Sequence, residues 1–95
     1  MKAWEVLEKY GWTQRAFARN KYEEEVSEHS NLAVSFCALG AISKIYNNNF
    51  PLEMEVCRKL RIRLELEPTT RSITDWNDKA KSKEEIIKVL KELDI

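Results

Sequence analysis

The stretch Asn31–Tyr46, NLAVSFCALGAISKIY, carries one charge, Lys44, and apolar or small residues fall on every face of the helix it would form. A helix that is apolar all round belongs inside a protein, with other elements packed on several sides. The reading is therefore a central helix, N-capped by Ser27 or Ser30. Asn47-Asn48-Asn49 stops it, because asparagine tolerates left-handed backbone and competes for backbone hydrogen bonds. Phe36, Leu39 and Ile42 are expected deep in the core. Gly40 costs roughly 1 kcal/mol relative to alanine within a helix. Close approach of another backbone is the usual compensation, so a neighbouring element is expected to cross there.

The flanking segments read as packaging for that helix. Ala3, Trp4, Val6, Leu7 and Tyr10 recur at helical spacing over Lys2–Tyr10, and Gly11 stands where a left-handed C-terminal cap would sit. Residues 12–26 show no clean period. They read as an irregular or extended arm, with the alternatives of a helical turn over Gln14–Ala18 or a pairing of the arm with itself around Asn20-Lys21. Pro51 suits the first turn of a further helix, in which Leu52, Val56, Leu60 and Leu64 form a buried stripe. Residues 60–67, LRIRLELE, also alternate strictly, as a strand would. The stripe starts earlier and no turn signal interrupts it, so one helix from Pro51 to Leu66 is preferred. Ser72–Asp78 reads as a capped turn or very short helix with Ile73 and Trp76 inward. Ser82 and Glu85 form a capping box that opens a last helix with Ile86, Ile87, Val89, Leu90 and Leu93 on its apolar face. The fold class is thus all-α: one domain over residues 1–95, a compact bundle of about four helices around a central apolar helix, with an irregular or extended arm near residues 12–26.

Ninety-five residues suffice for one modest core. Sixteen basic residues balance sixteen acidic ones, so net charge steers the chain towards neither nucleic acid nor an anionic membrane. The central apolar run is shorter than the roughly 20 residues of a membrane span, and no secretory leader pattern opens the chain. Cys37 and Cys57 fall on buried helical faces and read as small core hydrophobes. A cytoplasmic protein is the expectation.

Several short motifs, taken in order, carry a resemblance. They are Gly11-Trp12-Thr13-Gln14, Cys37 to Ala41, Trp76-Asn77-Asp78, and Ser82 to Glu85. The chain resembles a family of small bacterial and phage proteins, a domain of unknown function, with a GW-x-Q segment, a C-x-x-GA helix, a W-N-D turn and a closing helix opened by Ser or Thr with acidic residues. The resemblance implies one helical domain and a bacterial or phage origin, and no activity.

Chemistry-bearing sets are sparse. His29 and Cys37 would have to meet to form a thiolate–imidazole pair, with Asn77 or Asp78 to orient the ring. If Cys37 lies two turns into a helix that follows His29, about 10 Å separates them. One histidine and two separated cysteines do not supply a zinc site, and two glycines 29 positions apart cannot form a phosphate loop. No metal or cofactor is expected. Arg58, Lys59, Arg61 and Arg63 read as a solvated face paired with Glu55, Glu65 and Glu67, so nucleic acid is not favoured. The candidate binding surface is Trp12, Gln14 and Arg15 from the arm with Trp76, Asn77 and Asp78 from the turn. The expected function is a non-enzymatic module binding an unidentified protein partner, without membrane insertion and with its oligomeric state left open. The alternatives are a small-ligand binder with a polar pocket near Trp12 and Trp76, or a cysteine-dependent enzyme built on Cys37.

Overall fold

The computed structural model describes residues 1–95. In chain order the elements are α1 (Ala3–Lys9), β1 (Ala18–Arg19), β2 (Glu25–Val26), β3 (Ser35–Phe36), α2 (Ala38–Tyr46), α3 (Phe50–Leu64), α4 (Thr70–Lys79) and α5 (Lys83–Glu92). The domain is mostly helical but not all-α, because a three-stranded antiparallel sheet of order β2-β1-β3 accompanies the five helices. α2 is the hub: it packs against α1, α3 and α4, and α5 closes the far side of α1.

The expected central helix is present but starts at Ala38, seven residues later than the apolar run suggests. Asn31 and Leu32 lie in a turn closed by the Ala33 N–H donating to the Ser30 carbonyl, and residues 33–36 run on into β3. The Val34 N–H donates to the Arg19 carbonyl at 2.8 Å, and the Phe36 N–H donates to the Gly11 carbonyl at 3.0 Å. Neither Ser27 nor Ser30 caps α2. Cys37 does, its sulfur accepting from the Gly40 N–H at 3.2 Å. An unbroken apolar run does not by itself separate helix from buried strand, and here its first part pairs with the arm. Leu32, 63% exposed, faces water as a result. From Phe36 to Ile42 every residue is buried.

The arm pairs with itself around Asn20-Lys21, one of the alternatives the sequence left open. The Asn20 side-chain oxygen accepts from the Tyr22 and Glu24 N–H groups at 2.9 and 3.0 Å. Glu23 adopts left-handed backbone at φ 66°, a position that glycine usually fills. Gly11 has no such conformation, and α1 ends instead on right-handed Tyr10. Gly11 lies close to β3: a Cβ there would come 3.3 Å from the Val34 carbonyl oxygen.

The alternation at Leu60–Glu67 resolves as helix. Ile62 is 61% exposed while Leu60 is fully buried, the outcome of a 100° rather than a 180° repeat. α3 stops at left-handed Glu65, with the Glu65 N–H donating to the Ile62 carbonyl and the Leu66 N–H to the Arg61 carbonyl. This is a Schellman arrangement that satisfies the helix's last carbonyls. At its other end Asn49 caps the helix through the Leu52 N–H at 3.2 Å. Leu52 is exposed, so the buried stripe is Val56, Cys57 and Leu60. The Ser72–Asp78 turn is a full ten-residue helix, α4, capped by Thr69. The capping box at α5 is absent: the Ser82 hydroxyl makes no capping bond, and the Glu85 carboxylate accepts from the Lys81 N–H at 3.3 Å. Glu84 and Glu85 still favour that helix end by opposing its dipole.

The crossing at Gly40 is present, and its partner is the arm. The Phe17 carbonyl accepts from the Cys37 N–H at 3.1 Å and lies directly over Gly40. A Cβ at position 40 would overlap that oxygen and come within 2.9 Å of the Phe17 carbonyl carbon. Gly40→Ala should therefore destabilise by about 1–3 kcal/mol through overpacking, although helix propensity alone would stabilise by about 1 kcal/mol. Chemical denaturation measures this. An unchanged or raised midpoint would mean that the arm does not press on α2.

Candidate functional site

α4 delivers Trp76, Asn77 and Asp78 on its last turn, and the segment from Trp12 to Arg15 runs across them. Asn77 is fully buried. Its side-chain oxygen accepts from Trp12 Nε1–H at 2.7 Å and from the Ala38 N–H at 2.9 Å. Its nitrogen donates to the Thr13 carbonyl at 3.0 Å and to Asp78 Oδ1 at 3.3 Å. An asparagine amide offers two acceptor and two donor positions, and all four are used. Gln14 Nε2 shares its hydrogens among the carbonyls of Asn77, Asp78 and Ala80 at 3.2, 3.1 and 3.0 Å, satisfying groups that the end of α4 leaves open. The Arg15 N–H donates to Asp78 Oδ1 at 2.8 Å from a left-handed backbone at φ 64°.

Five of the six candidate residues thus meet in one hydrogen-bonded cluster. Trp76 is half-buried and packs against the core, outside that network. The cluster is a fastener joining the arm to α4 and to the start of α2. Arg15 and Asp78 border a cavity. They line a pocket of about 240 Å³ with Phe17, Glu25 and Thr74, and Cys37 also lines it. Neither tryptophan lines this pocket.

Cys37 is buried, and burial pushes its thiol from 9.0 up to about 11, against the lowering effect of the Gly40 and Leu39 N–H groups. Burial also raises the Cys57 thiol, helped by Glu53 and opposed by Arg61. Both cysteines are free. His29 lies elsewhere, its Nε2 3.4 Å from Ser43 Oγ, so it does not serve Cys37 as a base. No three His, Cys, Asp or Glu side chains converge as a metal site would require, and no helix is long and apolar enough to cross a membrane. Of the basic cluster, Arg58 meets Glu55 at 3.4 Å, Arg63 meets Glu92 at 2.8 Å, and Lys59 donates to the Leu93 carbonyl at 3.1 Å. Arg61 makes no ion pair and lines a cavity with Glu53 and Cys57, and it borders a second, shared with Arg58.

A family model described as "Family of unknown function (DUF6197)" matches residues 1–93. The chain belongs to this family. No curated protein and no solved structure matches it. The family's function is unknown and assigns no roles to these residues, so the site rests on the geometry of this member.

That geometry holds one feature the sequence reading missed. Between the arm, α2, α3 as far as Arg61 and the start of α4 runs a groove of about 460 Å³. Phe17, Phe50 and Met54 line it and are 47%, 66% and 56% exposed; Leu39 and Cys57 line it as buried residues. The available signal was that Phe50 and Met54 fall off the period-four stripe of their own helix.

Two outcomes follow for the cluster and the thiol. Asn77→Ala should lose roughly 2–4 kcal/mol, because it leaves the Trp12 N–H, the Ala38 N–H and the Thr13 carbonyl without their partner. A loss below about 0.5 kcal/mol would mean that water replaces the amide. A thiol raised in the folded state favours the neutral form, so its contribution to stability is full below pH 9 and is lost as pH rises from 9 to about 11. Denaturation midpoints across that range should fall more steeply in the parent than in Cys37→Ala; parallel curves would contradict the buried thiol.

Proposed function

We propose that this protein is a non-enzymatic binding module that contacts another protein through the groove between the arm and α3. The observation that carries the reading is the exposure of Phe17, Phe50 and Met54 around one concavity. Covering such side chains releases about 25 cal/mol per Å² of apolar surface removed from water, and contiguous apolar surface of this kind marks interaction sites. Arg15 and Asp78 extend the contact surface beside Phe17. Trp12, Gln14 and Asn77 serve it by holding the arm, and Trp76 by bracing α4. A cytoplasmic setting suits two free thiols. The resemblance to bacterial and phage proteins supports a role in a phage or mobile element, such as blocking a host protein.

The rival readings have less behind them. A cysteine enzyme needs a thiolate, and the surroundings of Cys37 favour the neutral thiol. A small-ligand site beside the two tryptophans needs a cavity that both of them line, whereas the pocket next to the cluster is bordered by neither.

Photo-cross-linking tests the proposal. With benzoylphenylalanine in place of Phe50, irradiation of the native host cells should give one discrete cross-linked protein. The same residue in place of exposed Lys88 on α5 should not. No discrete product from position 50, or the same product from both positions, would contradict the reading.

A further inference from the structure

We propose that the groove receives a short helix of the partner protein, bearing a Lys or Arg and an Asp or Glu seven or eight residues apart with large apolar side chains between them. This rests on the binding-module reading and adds the chemistry of the partner. Glu53, Cys57 and Arg61 all line the groove at spacings of four and eight residues, so they share one face of α3. Along α3 the lining runs Phe50, Glu53, Met54, Cys57, Arg61, so Met54 and Cys57 lie between an acidic and a basic side chain, and Phe17 and Leu39 line the groove from the arm and α2. Eight residues of helix place Glu53 and Arg61 about 12 Å apart along α3.

Glu28 adds a second acidic side chain to the lining. It lines the groove together with Ser43, and its neighbour His29 approaches Ser43 Oγ at 3.4 Å. The short Asn47–Asn49 connection folds α2 back along α3, which sets Ser43 beside the first half of α3, where Glu53 lies.

The two charges on α3 are also uncommitted. Arg58, Lys59 and Arg63 have partners within the chain, whereas neither the Glu53 carboxylate nor the Arg61 guanidinium forms an ion pair or a side-chain hydrogen bond there. A partner helix rising about 1.5 Å per residue spans about 10–12 Å in seven or eight residues. Side chains three or four positions in from each charge then fall on the same face, over Met54 and Cys57. Helix-in-groove recognition has this form. The charges at the two ends fix register and discriminate between partners, while the apolar anchors carry the affinity.

Selection from a randomised library of displayed helical peptides tests the inference. The parent protein should recover peptides with opposite charges seven or eight residues apart flanking large apolar residues. Their affinity should fall at least about tenfold on Met54→Asp, an exposed position whose circular dichroism should match the parent. On Glu53→Lys, selection should shift to peptides acidic at both ends. Recovered peptides without the paired charges would overturn the partner class. Peptides that bind Met54→Asp as tightly as the parent would place binding outside the groove and overturn the inference. If Phe50 cross-links a host protein while no helical peptide is recovered, the binding-module reading stands and the helical partner falls.

Discussion

One buried amide ties the three parts of this fold together. Asn77 sits at the end of α4, yet its oxygen and nitrogen reach the arm at Trp12 and Thr13 and the first residue of α2 at Ala38. A polar side chain without exposure must find all of its partners or cost stability, and here it finds four. The amide therefore specifies one arrangement of three segments distant in sequence. With the arm so fixed, the Phe17 carbonyl can lie over Gly40 and accept from the Cys37 N–H at the start of α2. That contact has room only because position 40 has no side chain.

The surface follows from the same constraint. Phe17 lies on the arm between the fastener and β1, so the position of the fastener decides where that ring emerges. It emerges opposite Phe50 and Met54 of α3 and forms one wall of the groove. The arm's few strand hydrogen bonds join residues from several parts of it, and its turn relies on Asn20 and left-handed Glu23 rather than on glycine. Small β structure of this kind is marginal alone. The fastener and the Gly40 crossing give it a rigid backing, which a recognition surface on irregular structure needs.

Much of the interior was legible in the residues. Gly40 announced a backbone crossing, both cysteines read as buried, and the apolar faces of α3 and α5 were visible as periods. Trp12, Gln14, Asn77 and Asp78 drew notice as directional polar groups near costly aromatics, and the structure gathers them into one cluster that holds the arm. The start of α2 was not legible, because NLAVSF is apolar without a period, and only the turn at Asn31-Leu32 and the bonds of Val34 to Arg19 and Phe36 to Gly11 keep it out of the helix. The length of α4 was hidden by Ser, Thr, Asp and Asn, which compete for backbone bonds but whose hydrophobic pair, Ile73 and Trp76, tertiary packing keeps in helix. Phe50 and Met54 were invisible as surface because a sequence lists apolar residues without saying which ones the core has no room for.

The central claim is that Asn77 holds the arm as a separable unit on a helical framework. Native-state hydrogen exchange in Asn77→Ala tests it most directly. The amides of Thr13, Val34, Phe36 and Cys37, all bonded within the arm or to it, should exchange through an opening that leaves Val6 and Leu90 protected at the level of global unfolding. Equal loss of protection at all of these amides, or none in the arm, would contradict it.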